Sequence, residues 1–152
     1  MIKIIAVGKI KESFYTEAIE EYKKRLSSWT KLEIVEVKEV NNQDINKNIY
    51  EEGLNILKVL NDNDYVISLE IKGKKIDSIE LSKLIEKTYT YNASTICFVI
   101  GGSNGLSSDV TARANYHLSF SEMTFPHQLM RVILMEQIYR SFTIINHKEY
   151  HK

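Results

Sequence analysis

Three stretches of the chain carry residue types that could build a ligand site. The first is Gly101-Gly102-Ser103-Asn104-Gly105, which follows an apolar run and precedes a helix-forming segment. Its glycines would let backbone groups approach a bound molecule closely. It lacks the Lys-Ser/Thr of a phosphate-binding loop and the spacing of a dinucleotide fingerprint, so a phosphate cradle is poorly supported and a plain tight turn competes. The second is Leu69-Glu70-Ile71-Lys72-Gly73-Lys74, either the second wall of a crevice between adjacent strand ends or a solvated basic turn between strand and helix. The third, Phe120-Ser121-Glu122-Met123-Thr124-Phe125, has no regular period and mixes apolar with hydroxyl side chains just before a helix. A loop of that kind can wrap an adenine and its ribose, because adenine asks for an apolar slot with a few backbone donors and acceptors. A sulfonium cation is accommodated by carbonyl dipoles rather than by anion-binding amides, which would explain a site without a phosphate motif.

A second set of groups gathers towards the C-terminus. Arg131, Arg140, His127, His147 and His151 lie on or near the last helix and tail, where they could meet a phosphate or a base. Each has a duller reading: Glu136 and Arg140, four apart, could form an ordinary helical ion pair, and a lone histidine is usually a surface polar group. The tail Tyr150-His151-Lys152 would by default be frayed. The single cysteine, Cys97, sits inside the apolar run from Thr95 to Ile100, leaving neither a disulfide framework nor a cysteine metal cluster.

The elements that must position these groups alternate. Ile2 to Val7 reads as a strand stopped by Gly8, followed by a helix for which Ser13 is the expected N-cap and Tyr15, Ala18, Ile19, Tyr22 and Leu26 the apolar face. Trp29 falls in the next turn. Leu32, Ile34, Val35 and Val37 mark a second strand; polar Asn41 to Asp44 lead into a helix carrying Ile49, Leu54, Leu57 and Leu60. Tyr65 to Glu70 is a third strand, Asp77 with Glu80 a capping box opening a helix through Tyr89, and Thr95 to Ile100 a fourth, buried strand. A short helix from about Ser107 to Ala114 and a strand from Tyr116 to Phe120 follow, and Pro126, the only proline, opens a last helix reaching Asn146. This order predicts an α/β domain over residues 1–152, a mostly parallel sheet with helices on both faces and ligands beyond the carboxyl ends of its strands. The last helix is apolar nearly all round, which predicts burial on two sides: against the sheet and against the same helix of a second copy, with burial inside one monomer as the alternative.

Lys plus Arg equals Asp plus Glu, so no broad positive field is present to grip nucleic acid indiscriminately. A preformed RNA feature met by a local basic patch stays compatible with that balance. No segment is apolar for long enough to span a membrane, and the N-terminus runs into charges unlike a secretory signal; a reducing cytoplasm, no membrane and no metal are expected.

Taken in order, Ala6-Val7-Gly8-Lys9, Leu69 to Lys74, Ile100-Gly101-Gly102-Ser103-Asn104-Gly105-Leu106, Leu118-Ser119-Phe120 through Phe125-Pro126-His127, Arg131-Val132, Glu136-Gln137-Ile138-Tyr139-Arg140 and Tyr150-His151-Lys152 resemble the ribosomal large-subunit methyltransferase H family of the SPOUT superfamily. The likeness runs end to end. It implies transfer of a methyl group from S-adenosylmethionine to N3 of a pseudouridine in 23S ribosomal RNA on the assembled ribosome, by a homodimer. It also implies a deep trefoil knot in the C-terminal part, which pattern reasoning alone would exclude. Carried over by position, the cofactor residues are Leu69, Gly101, Phe120, Ser121, Glu122, Met123, Thr124 and Phe125. Arg131, Arg140, Tyr150 and His151 are the residues expected to hold RNA at the catalytic site, with the tail of one subunit closing over the cofactor of the other. His127 and His151 are the candidates for a base. Lys148-Glu149 stand where some members of the family have a proline. Two other readings compete: a nucleotide-binding or regulatory module without transferase chemistry, and a purely structural dimerisation protein resting on the last helix alone.

Overall fold

A computed structural model describes residues 1–152. Five strands form one all-parallel sheet in the order β2-β1-β4-β3-β5: β1 (Ile2–Val7), β2 (Leu32–Val37), β3 (Tyr65–Lys75), β4 (Ile96–Ile100) and β5 (Tyr116–Ser119). The central strands β1 and β4 are buried along their whole length, as continuous Ile/Val-rich runs covered on both faces should be. Alternation sorts their side chains. Ile2, Ile4 and Ala6 enter one core with Ile19, Leu26, Ile85, Leu134, Ile138 and Phe142, while Ile5 and Val7 enter a smaller one with Ile56, Val66, Cys97, Val99 and Val110.

Helices α1 (Ser13–Leu26), α3 (Ser78–Tyr91) and α5 (His127–Ile145) cover the larger core; α2 (Ile45–Lys58) and α4 (Ser108–Arg113) cover the other. Their starts follow from local chemistry. Asp77 accepts from the Glu80 N–H and Glu80 from the Asp77 N–H, both at 2.8 Å, closing the expected capping box. Asp44 caps α2 by accepting from the Lys47 N–H, and Ser107 caps α4 by accepting from Val110. Ser13 is not a cap: Glu12 takes that place without a side-chain bond, and Ser13 is the first helical residue. Pro126 stands one residue ahead of α5, with φ −54° and ψ 131°, where its missing N–H costs nothing.

The third strand runs past its expected end. Residues 69–74, read above as a turn or a crevice wall, belong to β3, which leaves its register with β5 at Leu69 and rejoins it at Lys74. After β5 the chain passes along the strand ends through residues 120–126 and lays α5 back between α1 and α3. The all-round apolar character of α5 is thus partly used within the chain: Leu134, Met135, Ile138 and Phe142 meet the sheet, and two helices flank the rest. No helix is long and apolar enough to cross a membrane.

Candidate functional site

A cleft of about 740 Å³ opens beyond the carboxyl ends of the strands, and all three segments singled out in the sequence line it. Leu69 to Lys72 form one wall, Gly101 to Ser103 with Gly105 another, and Phe120, Ser121 and Met123 to Phe125 a third, with His127 and Met130 at the start of α5 completing the enclosure. Nine of its twenty lining residues are apolar, the lining expected where a flat ring is buried and a few polar atoms fix its orientation.

The glycine loop is both a tight turn and a wall. The Gly105 N–H donates to the Gly102 carbonyl at 3.1 Å, and Gly105 has φ +86°, a conformation that L side chains rarely adopt. A Cβ on Gly101 would lie 2.9 Å from the Gly105 carbonyl carbon, so a side chain there would push the turn out of shape.

The third wall is stitched by short polar contacts. Ser119 donates to the Ile71 carbonyl at 2.9 Å, and the Ser121 hydroxyl accepts from the Met123 N–H at 3.0 Å. Glu122 is the one cofactor candidate that does not line the cleft; its carboxylate lies 3.0 Å from the Lys75 ammonium and 4.0 Å from that of Lys72, on the exposed side. Leu106, the last residue of the glycine-loop motif, also lines the cleft, and Thr111 of α4 reaches it with no signal in the sequence, because only the placement of α4 beside the strand ends brings it there.

Two further acidic groups stand at the strand ends. A Cβ on Gly102 would come within 3.4 Å of Glu52 Oε1, and one on Gly8 within 3.8 Å of Glu39 Oε2 and 4.0 Å of His127 Nε2. Glu52 is buried and accepts from the Val40 N–H at 3.0 Å. Burial holds its carboxyl above the usual range, and Glu39 pushes the same way, against the Val40 N–H and His127. No group of three or more His, Cys, Asp or Glu side chains is arranged to hold a metal ion.

The four residues assigned to the RNA lie apart from this cleft. Arg131 is 2% exposed; Nη1 donates to Glu36 at 2.6 Å and Nη2 to the Gly8 carbonyl at 3.3 Å, while Nε has no partner. It ties α5 to the ends of β1 and β2 and, within this chain, presents no surface to a ligand.

Arg140 and the tail form a separate cluster. Nε and Nη2 of Arg140 each donate to Glu136 at 3.1 Å, so the ordinary helical ion pair is present. It is also an anchor: Tyr150 donates its hydroxyl to Glu136 at 2.6 Å, the Arg140 guanidinium lies 4.7 Å over the Tyr150 ring, and its Nη1 is 3.2 Å from His151 Nδ1. The bond to Glu136, then burial, push the Tyr150 hydroxyl up to about 12. Tyr139 meets Tyr150 edge-on at 4.9 Å and stacks on Trp29 at 5.7 Å. The tail is therefore docked rather than frayed. His147, at φ +56°, reverses the chain, and the Lys148 N–H donates to the Thr143 carbonyl at 2.8 Å. Glu136 lies six positions beyond Met130, the last residue of α5 in the cleft lining, about 9 Å of helix rise, and no residue of the tail cluster lines the cleft of its own chain.

The family described as "Predicted SPOUT methyltransferase" matches residues 1–151. The chain is 54% identical to the "Ribosomal RNA large subunit methyltransferase H" of Clostridium botulinum (strain 657 / Type Ba4), over 99% of each chain. It is 53% identical to the "Putative ribosomal RNA large subunit methyltransferase H" of Methanococcus vannielii, again over 99% of each. Among solved structures, a probable methylase family protein from Haemophilus influenzae Rd KW20 shares the fold at a TM-score of 0.57 and 16% identity, covering 99% of this chain and 70% of that one.

Proposed function

Since the chain belongs to the ribosomal RNA large subunit methyltransferase H family of SPOUT methyltransferases, we propose that residues 1–152 form one cytoplasmic S-adenosylmethionine-dependent domain that methylates N3 of a pseudouridine in 23S ribosomal RNA on the assembled ribosome. The observation that carries this reading is the convergence of the three loop segments on one cleft at the strand ends. The lining suits the cofactor. Apolar side chains and glycine backbone offer a slot for adenine, and Glu70 is the one acidic residue in a wall that a cationic ligand would meet. S-adenosylmethionine supplies an electrophilic methyl group on a sulfonium centre.

Leu69, Gly101 and the run from Phe120 to Phe125, with Glu122 acting from outside through its lysines, hold the cofactor in this reading. Pseudouridine N3 must lose a proton to become a nucleophile, and His127 is the imidazole in the cleft that can take it. His151 is the second candidate. It arrives only with a tail, and the distance along α5 between the tail cluster and the cleft supports a homodimer in which one subunit's Arg140, Tyr150 and His151 serve the other's cleft. Arg131 acts in this scheme by fixing α5 rather than by touching RNA. A knotted C-terminal path belongs to this reading through the SPOUT family alone.

The balance of charges suits a preformed target, because a ribosome presents its RNA already shaped and asks for little sequence-independent attraction. The test is transfer of labelled methyl from S-adenosylmethionine to ribosomes lacking the modification, beside free 23S RNA. Label in N3-methylpseudouridine, mainly with ribosomes, is expected; cofactor binding without label would move the assignment to a nucleotide-binding module.

A further inference from the structure

Beside the cleft, β3 departs from its ladder. Leu69 and Lys74 both oppose Leu118 of β5, so Glu70-Ile71-Lys72-Gly73 have no register partner in the edge strand. Glu70, Ile71 and Lys72 nevertheless line the cleft. This strap is therefore a wall of the site held by contacts other than a regular ladder.

Those contacts are few and specific. At the far end Gly73 crosses β5 so closely that a Cβ would lie 2.8 Å from the His117 carbonyl oxygen, and the Ile71 carbonyl accepts from Ser119 at 2.9 Å. At the root, Ser68 and His117 face each other across the two strands, the second of the regular pairs before the strap leaves. The fully buried Ser68 donates its hydroxyl to Glu70 Oε2, and His117 Nδ1 binds the same carboxylate oxygen. Ser68 Oγ and His117 Nδ1 are themselves 3.2 Å apart. For Nδ1 to meet a carboxylate it must carry the proton, so the oxygen accepts from two donors, one on β3 and one on β5.

The exposure of the group argues against a packing role. The His117 side chain is 47% exposed and that of Glu70 25%, so neither fills a core, and an imidazole–carboxylate contact is kept where solvent could satisfy both. Glu70 borders both the cleft and a neighbouring groove, whereas His117 borders the groove alone. Of the two side chains that His117 bonds, Ser68 and Glu70, only Glu70 lines the cleft.

We propose that Ser68 and His117 are positioning residues for the cofactor cleft, acting through the Glu70 carboxylate to hold the strap as a wall of fixed shape. The inference rests on the function proposed above only for the identity of the ligand.

The test compares wild type with His117→Ala and His117→Asn, whose side-chain N–H stands where Nδ1–H does, by amide hydrogen exchange at residues 71–74 of the free protein and by calorimetry with S-adenosylmethionine. In His117→Ala, exchange should quicken and the Kd and KM for S-adenosylmethionine should rise about tenfold, the scale of one charge-assisted hydrogen bond. The kcat at saturation and the melting temperature should hold, and His117→Asn should restore exchange and affinity. Glu70→Ala, which also removes the acidic group facing the cleft, should quicken exchange as His117→Ala does and weaken S-adenosylmethionine binding at least as much. Unchanged exchange and affinity in His117→Ala, or an asparagine variant no better than the alanine one, would overturn the proposal. If wild type binds no S-adenosylmethionine, the cofactor reading fails and the exchange data alone decide whether the latch exists.

Discussion

The cleft at the strand ends and the cluster at the far end of α5 are built by opposite means. The shape of the cleft is set largely by backbone: its glycine turn leaves no room for a Cβ on Gly101, which would lie 2.9 Å from the Gly105 carbonyl carbon, and its third wall is held by hydroxyl-to-backbone bonds. The tail cluster is made of side chains, with one carboxylate, Glu136, receiving Arg140 and Tyr150 while aromatic rings stack around them. A pocket shaped by backbone is pre-formed and tolerates little change in shape, whereas a partly exposed network of charges and rings can exchange partners at modest cost. That contrast suits a cofactor slot in one region and a segment that re-docks on a second subunit or on RNA in the other.

The largest effect that would separate the regions is expected on removing Tyr150 to Lys152. Methylation should be lost while S-adenosylmethionine affinity, measured by calorimetry, stays within about twofold, a difference below 0.5 kcal/mol. Full activity in the truncated protein would sink the shared-site reading. Next comes Arg131→Ala, which strips Glu36 and the Gly8 carbonyl of a buried partner. It should cost about 3 kcal/mol of stability, near the low end for a broken buried pair because Glu36 is partly open to water. The urea midpoint checks it, and an unchanged midpoint would deny Arg131 its tie between α5 and the sheet.

A subtler change, Gly101→Ala, tests the backbone-built region. The turn must shift to clear the Gly105 carbonyl, and S-adenosylmethionine affinity should fall about tenfold. An unaltered Kd would mean that the loop adapts and the pocket is not pre-formed. The smallest effect is expected for Tyr150→Phe. Loss of the bond to Glu136 should speed proteolysis next to Lys148 about fivefold, as about 1 kcal/mol of docking disappears. The same bond carries a pH signature. Because the folded hydroxyl titrates at about 12 instead of 10, its contribution is fully present below pH 10 and is lost as pH rises towards 12. A phenolate titration should show a tyrosine ionising near pH 12 that disappears in Tyr150→Phe.

Much of this architecture is legible in residue types. Continuous runs of Ile and Val mark the buried strands, Asp77 with Glu80 announces the start of α3, and segments at strand ends supply the three walls of the cleft. Ser13 misled because a serine before an apolar face has the chemistry of a cap, while the chain turned helical one residue sooner. The strap of β3 was also beyond sequence reasoning: the basic stretch reads as a turn, and its place in the strand depends on β5 lying alongside.

The sequence by itself determined the alternation of strands and helices, the apolar character of the core and the candidate loops, since these follow from local periodicity and capping chemistry. Tertiary structure alone decided that Arg131 is buried against Glu36, that Glu122 stands off the cleft beside Lys72 and Lys75, and that Ser68, Glu70 and His117 meet. Each of these contacts joins residues from different elements or turns on which face of a strand reaches its neighbour. Where a side chain finds its partner depends on strand order and register, which no single stretch of sequence encodes.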